Sequence, residues 1–384
     1  MKPRRYQLTK DAASIIARGH PWVFRDSLSS AAQVFHDGDL LRLVDHTNTA
    51  VGHGIYEAEG AIAIRMWRRG PDRPNAAWLR SGLDATLARR ESLTTRTTGI
   101  RLVHGESDGI PAVVADQFGD TIVVTSYAGG SDAIARFVAR ALRTRAPNIV
   151  LKPAHRRRSA TGAPPAMRTL FGTMPPIATF VEDALAYAVD LAEGQKTGTY
   201  LDLRGLRHAV ANAPLTGARV LNLFSYTGML GRAAEAAGAA AITHVDQSAR
   251  ALAFAKTHHA TDPARHSYVE ADIFDWLPTL DAAAQFELVI VDPPAMTSKK
   301  QQVPQVLAAY KKLYRAARDH VTPGGVLVAA CCTSRIERGV FQRTVREALG
   351  ADFTLERELA PEIDHPVGFP QADYLKIGWW RRAA

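Results

Sequence analysis

Val220-Leu221-Asn222-Leu223-Phe224-Ser225-Tyr226-Thr227-Gly228 is an apolar strand run, over Val220 to Phe224, that breaks into a turn and leads into a helical pattern from Met229 to Ala241. A tight strand-to-helix turn exposes backbone N–H groups at the positive end of the helix, where a carboxylate or phosphate binds. Only Gly228 and Gly231 are present, so the turn is not the G-x-G-x-x-G of a dinucleotide site. Outward from it, Ile242 to Asp246 reads as a second strand, Ala249 to His259 as a helix, and Phe286 to Asp292 as a buried strand. After Pro323-Gly324-Gly325, Val326 to Ala330 is another. Strands alternating with helices are the signature of a doubly wound parallel sheet. Two last strands, near Phe353 to Leu359 and Tyr374 to Trp380, close the sheet as a hairpin.

Three features fall at the ends of these strands. Asp246 lies eighteen residues beyond Gly228 and ends the second strand, where an acidic side chain holds both hydroxyls of a ribose. With the glycine turn and the parallel sheet it indicates an adenosine-type ligand, although helix N-caps use the same residue types. Asp292-Pro293-Pro294 ends the next strand; its prolines fix the backbone and remove two N–H donors, which leaves stiff carbonyls facing a flat substrate. A bare Asp-Pro-Pro is ordinarily a strand-ending turn. Cys331-Cys332 follows the strand after that. A thiolate is a strong soft nucleophile at neutral pH, yet most cysteines are buried and inert. Convergence of all three on one sheet edge favours the functional reading.

The rest of the chain is built differently. Leu40 to Asp45, Ala50 to Tyr56 and Ile62 to Trp67 are short strands about ten residues apart, which suggests a small barrel or sandwich. Arg68 to Asn75, with two prolines, reads as a linker. Helical patterns over 76–94 and 131–143 flank strand candidates at Leu102 to His104 and Ala112 to Ala115. Between Lys152 and Arg168, a basic run with Arg156, Arg157 and Arg158 reads either as a solvated loop or as one that touches RNA. At 384 residues the chain exceeds one ordinary core.

Two adjacent cysteines close no useful loop, so a secreted disulfide scaffold is excluded, a reducing cytoplasm is expected, and no thiolate-rich metal site can form. No apolar stretch is long enough to span a membrane. Lys and Arg total 47 against 38 Asp and Glu, a net charge of +9. Arg dominates the basic set; its planar fork suits phosphate, and a GC-rich genome would raise Arg as well.

The chain resembles the RlmI/RlmO-like family of S-adenosylmethionine-dependent methyltransferases that form 5-methylcytosine in large-subunit ribosomal RNA and carry an N-terminal PUA domain. The resemblance rests on Arg18-Gly19-His20-Pro21-Trp22-Val23-Phe24, Gly105-Glu106-Ser107-Asp108-Gly109-Ile110-Pro111, Gly194 to Asp202, and the three strand ends above. Asp364-His365-Pro366 with Gly368 to Lys376 is similar to the family's closing hairpin, so nearly the whole chain is covered.

That resemblance implies an α/β protein of three parts: a PUA-like β barrel over 1–70, a central α+β domain over 71–190, and a class I methyltransferase domain over 191–384. S-adenosylmethionine would be the cofactor. Lys196, Tyr200 and the turn of Phe224, Ser225, Tyr226, Thr227 and Gly228 would surround its methionine part. Asp246 would hold the ribose, Asp272 would lie by the adenine, and Asp292 would border both cofactor and target. Cys332 falls on the nucleophile position and Asp292 on the first position of the family's D-P-P-K stretch. Ala295 replaces the lysine there, and Lys299 or Lys300 would have to substitute. RNA is the implied partner, the homodimer is an allowed assembly, and no metal is expected. Methylation at another RNA position or of a small molecule, and a non-catalytic RNA-binding assembly factor, are the competing readings.

Overall fold

The computed structural model describes residues 3–29, 35–153, 167–194, 197–297 and 299–384. The basic run around Arg156 and the predicted cofactor residue Lys196 lie outside them. The chain divides into two compact units, one of 1–184, 189–201 and 363–370, the other of 185–188, 202–362 and 371–384. Among the described residues no helix is long and apolar enough to cross a membrane.

The first unit opens with β1 (Arg4–Gln7), α1 (Lys10–Ala17), β2 (Trp22–Phe24), β3 (Leu40–Val44), β4 (Ala50–Tyr56) and β5 (Ile62–Arg69). These strands form a sheet in the order β1-β3-β4-β5-β2. The expected barrel is therefore corrected to an open sheet. Its edges, β1 and β2, are four and three residues long and are joined through α1, and no pairing between them is recorded among the described residues. Ile16, Leu41, Leu43 and Ile64 fill the core beneath it.

A second sheet in this unit follows α2 (Ala76–Ala88) and comprises β6 (Gly99–His104), β7 (Val113–Phe118), β8 (Thr121–Ser126), β9 (Asn148–Pro153) and β10 (Arg168–Phe171), in the order β10-β9-β8-β7-β6, with α3 (Asp132–Ala141) packed on it. The helix predicted over 76–94 stops at Ala88. Arg90 turns inward, donating to the Arg101 carbonyl at 2.7 Å and to Asp108 at 2.6 Å, which a continuing helix would not allow. Residues 363–370 belong to this unit: Asp364 accepts the Arg101 N–H at 2.9 Å. β11 (Ile177–Glu182) and β12 (Leu185–Asp190) form a hairpin, and the division between units falls within β12.

The second unit runs α4 (Arg204–Ala211), β13 (Arg219–Leu223), α5 (Met229–Ala236), β14 (Ala241–Asp246), α6 (Ala249–His258), β15 (His266–Glu270), α7 (Ile273–Trp276), β16 (Phe286–Val291), α8 (Val303–Arg318), β17 (Val321–Cys331), α9 (Arg338–Leu349), β18 (Phe353–Leu359) and β19 (Lys376–Arg382). Its seven strands take the order β15-β14-β13-β16-β17-β19-β18; the first five are parallel and β19 is antiparallel to both neighbours.

Side chains alternate across a strand, so the two faces of this sheet bury different sets. Leu221, Leu223, Val289, Val291 and Leu327 pack with Tyr310, Tyr314 and Phe341 of α8 and α9. Val220, Leu288, Ile290 and Val328 pack with Leu206, Val210 and Leu230 of α4 and α5. Each such aliphatic contributes about 1.5–3 kcal/mol when fully buried. Helices therefore cover both faces, and the loops at the carboxyl ends of the parallel strands are left to carry chemistry.

Candidate active site

The turn after β13 is shaped by three successive departures from ordinary backbone. Phe224, Tyr226 and Gly228 all have positive φ, at 58°, 46° and 78°. For the two non-glycine residues this costs about 1–3 kcal/mol each, and such residues cluster at functional sites. Asp246, ending β14 on the neighbouring strand, offsets the strain: its Oδ2 accepts the Tyr226 N–H at 2.8 Å and its Oδ1 the Ser248 N–H at 2.9 Å. The Ser225 N–H donates to the Val245 carbonyl at 3.1 Å, tying the turn to β14 again.

Beneath the turn the packing leaves no room for a side chain on the glycines. A Cβ on Gly231 would stand 2.1 Å from His244 Cε1, and one on Gly228 would stand 2.7 Å from the Ala255 Cβ. His244 is buried, stacks on His266 and Tyr268, and its imidazole is pushed down to about 3 by burial. His259 holds the turn from another side. Its Nε2 accepts the Ala188 N–H at 3.0 Å, so Nδ1 carries the proton and donates to the Thr227 carbonyl. Burial pushes this group down to about 4, which keeps it neutral in that bridging form. The residue sequence carries no sign of either histidine's role, because their partners lie far along the chain.

The other predicted residues fall at the same end of the sheet. Asp272 caps α7, accepting the Phe274 N–H at 2.8 Å, and Phe274 packs edge-on against Phe224 with ring centroids 6.1 Å apart. Asp292 is half-buried directly after β16. Cys332 follows β17, half-buried, and its thiol donates to the Pro293 carbonyl across 3.6 Å. Its neighbour Cys331 points the other way: it is fully buried, 3.5 Å from the Tyr310 hydroxyl that donates to it. Burial raises the Tyr310 phenol, so that donor keeps its proton.

Tyr200 lies in the first unit and is not among the residues that the second unit gathers. Ala295, Lys299 and Lys300 are all exposed. Sequence reasoning passed over Lys376, which opens β19 and is fully buried, donating to the carbonyls of Thr333 at 2.9 Å and Tyr374 at 3.1 Å. Among the described residues no cluster of side chains has the makings of a metal site.

The Ser225 Oγ and the Asn222 Oδ1 are buried without a hydrogen-bond partner, beside a strained turn whose neighbouring strand ends in a carboxylate. Unmet polar atoms at the carboxyl ends of a doubly wound sheet fit a polar nucleoside-containing ligand. Fold and site together define a doubly wound α/β unit with a nucleoside-type site at the carboxyl ends of its parallel strands.

Comparison with known proteins agrees. Residues 143–376 match the family model described as S-adenosylmethionine-dependent methyltransferase, and residues 7–69 match a PUA-like domain. The chain belongs to this methyltransferase family, whose cofactor is S-adenosylmethionine. A ribosomal RNA large subunit methyltransferase of Deinococcus radiodurans is 32% identical over 97% of this chain and 96% of its own. A ribosomal RNA large subunit methyltransferase I of Shewanella denitrificans is 31% identical over 94% and 95%. A solved structure from Streptococcus mutans, described as a SAM-dependent methyltransferase, superposes with a TM-score of 0.84 over 98% of this chain and 100% of that one at 21% identity, a likeness of fold.

Proposed function

We propose that the chain methylates carbon 5 of a cytosine in large-subunit ribosomal RNA, with Cys332 as the nucleophile. The observation that carries this is the Cys332 thiol facing the Pro293 carbonyl, on the sheet edge that also bears the Asp246-braced turn. The relatives named as ribosomal RNA large subunit methyltransferases support the RNA class, and the PUA-like stretch and net charge of +9 suit a phosphate backbone. In this reading 1–70 is the RNA-binding PUA-like domain, 71–190 a central α+β domain, and 191–384 the catalytic one.

S-adenosylmethionine supplies an electrophilic methyl group. The turn from Phe224 to Gly228 would hold its methionine end, Asp246 would hold the ribose, and Asp272 would border the adenine; Lys196 and Tyr200 keep the cofactor role that the resemblance implies for them. Carbon 5 of cytosine is a poor nucleophile. Addition of the Cys332 thiolate to carbon 6 would form a C–S bond and break the carbon 5–carbon 6 double bond, placing its electron pair on carbon 5, which would take the methyl group as the methyl–sulfonium bond breaks and the neutral thioether leaves. Asp292 would hydrogen bond the amino or the ring-nitrogen edge and stabilise the adduct. The carbon 5 proton passes to a base, and the electron pair it leaves expels the sulfur. The base must leave its stack to reach such a site.

Large-subunit RNA transcribed with 5-fluorocytidine tests this directly, because fluorine at carbon 5 cannot depart as a proton and the sulfur stays attached. A covalent protein–RNA complex that forms in wild type and is lost in Cys332→Ala is expected. Unchanged methylation of ordinary RNA by Cys332→Ala would exclude the mechanism. A chain that binds RNA but shows no calorimetric binding of S-adenosylmethionine would be an assembly factor.

A further inference from the structure

One row of residues across four strands of the N-terminal sheet is cationic. The register sets Arg5 of β1 beside Arg42 of β3, Arg42 beside His53 of β4, and His53 beside Arg68 of β5. Residues paired across strands point to the same side of a sheet. That side faces away from the core beneath this sheet, because Tyr6, Leu41 and Leu43, the chain neighbours of Arg5 and Arg42, point into it. At β5 the register skips Trp67, a bulge that turns Arg68 onto the same side, where its guanidinium lies 5.4 Å from the Trp78 ring centroid. With strands about 4.8 Å apart, the row extends over about 14 Å.

His53 is the unusual member. It is only 2% exposed, and its Nδ1 is buried without a hydrogen-bond partner. The other ring nitrogen donates to the Asp72 carbonyl, so in the neutral imidazole Nδ1 carries a lone pair. The charged groups that face the ring are Arg42, Arg68, and Arg73 and Asp72 of the segment after β5. Burial, and then the three arginines, hold the imidazole below its ordinary value and so neutral. Arg68 pairs with Asp72 at 2.7 Å and donates to the Arg73 carbonyl at 3.1 Å. Among the described residues that is the only carboxylate paired with Arg5, Arg42 or Arg68, and Asp72 is 72% exposed, so it neutralises little. Arg5 donates to the Asn48 side chain, and Arg42 is exposed. Like charges gathered around a buried imidazole repel one another, and an anion set between them relieves the repulsion.

We propose that Arg5, Arg42, His53 and Arg68 form a binding row for the sugar–phosphate backbone of RNA. This rests on the reading of the chain as an RNA methyltransferase. A phosphate held by Arg42 and Arg68 lies over His53, which stands between them; the imidazole takes a proton from solvent, and its Nδ1–H donates to a phosphate oxygen. Without RNA the site is closed over Nδ1, and the exposed Arg42 and half-buried Arg68 have the rotamer freedom to open it. Contacts of this kind position RNA and carry no sequence information.

Fluorescence anisotropy of labelled poly(C) with the full-length protein, without cofactor, reads the row through its salt dependence. Each phosphate contact on a single strand contributes a slope of about 0.7 in log affinity against log salt. Arg42→Gln is expected to reduce the wild-type slope by about 0.7, and Arg5→Gln with Arg42→Gln by about twice that, with binding about tenfold weaker at low salt. Both positions are exposed, so folding should be unaffected. His53→Gln retains a donor for the Asp72 carbonyl and cannot take up a proton. Wild-type affinity should rise as pH falls from about 7.5 to about 5.5, across the ordinary histidine value near 6.5, and the rise should shrink in His53→Gln. Equal salt slopes in wild type and the double arginine variant overturn the proposal, as does an identical rise in wild type and a folded His53→Gln; where that variant does not fold, the arginine slopes decide. Because this binding needs no methyl transfer, retained methylation by Cys332→Ala would remove the cytosine mechanism and leave the row standing, whereas a wild type that does not bind poly(C) would overturn the row together with the RNA reading.

Discussion

The Cys332 sulfur stands 3.6 Å from the Pro293 carbonyl oxygen, so the loop after β17 and the loop after β16 meet through the thiol. Proline at 293 has no N–H to offer the sulfur, and the carbonyl is the only backbone group it can present there. The adjacent Cys331 is buried with the Tyr310 hydroxyl. Two neighbouring cysteines thus have opposite environments, and their substitutions should separate. Cys332→Ala should abolish methyl transfer with little change in melting temperature and cofactor affinity. Cys331→Ala should leave turnover measurable and cost about 1–2 kcal/mol of stability, from the cavity it leaves. Paired activity and thermal-unfolding measurements check both, and the reverse pattern would reassign the nucleophile.

Asp246 gives both of its oxygens to backbone N–H groups, one of them in the strained turn at Tyr226. Removing the carboxylate frees that N–H and leaves the positive φ of Tyr226 unsupported. Asp246→Ala should weaken S-adenosylmethionine binding by at least about tenfold, a loss on the order of 1.4 kcal/mol. Asp246→Asn, which keeps one acceptor, should fall between. Titration calorimetry with the cofactor alone reads this, and an unchanged affinity in the alanine variant would remove Asp246 from the binding site.

The sheet of the second unit was legible because parallel strands buried on both faces appear as continuous apolar runs, as in Phe286–Val291 and Val326 to Ala330. Strand ends then located Asp246, Asp292 and Cys332. Boundaries were less readable. The helix expected to reach Ala241 stops at Ala236, because Gly238 takes a positive φ and closes it, while the alanines beyond prolong an apolar pattern that β14 uses instead. The N-terminal strands gave the right spacing for a barrel, but closure depends on edge strands too short to signal their pairing. Lys376 and His259 were illegible in their roles: their partners Thr333, Thr227 and Ala188 are 43, 32 and 71 residues away. A helix-ending histidine and a strand-opening lysine look like solvent-facing residues until the fold buries them.

Gly231 approaches His244 more closely than any side chain permits, with 2.1 Å between a built Cβ and the ring. The ring cannot yield easily, since it stacks on both His266 and Tyr268, with Nε2 3.0 Å from His266 Nδ1. Gly231→Ala should push the start of α5 away from β14. A cost of about 1–3 kcal/mol is expected for this overpacking, with weaker cofactor binding because Gly228 begins the same helix. Thermal unfolding and calorimetry measure the two effects, and a variant as stable as wild type would show that the helix shifts freely.

His244 and His259 are both held neutral by burial, at about 3 and about 4, below the ordinary value near 6.5. The unfolded chain therefore binds protons on these two groups at a higher pH than the folded one does. Their contribution to stability is fully present above about 6.5 and is lost as pH falls, down to about 4 for His259 and about 3 for His244. For His259 the loss is also local: a proton on Nε2 would face the Ala188 N–H that it now accepts, so the bridge to Thr227 would come under repulsion. Melting temperature should fall steadily between pH 6.5 and 4. His259→Asn retains a donor at the position of Nδ1 and has no imidazole to protonate; it should flatten that slope while holding the turn better at neutral pH than His259→Leu does. Melting curves across this range, with cofactor affinity measured at pH 7, check the pair of expectations. A slope identical in wild type and His259→Asn would mean that the buried imidazole does not titrate with unfolding.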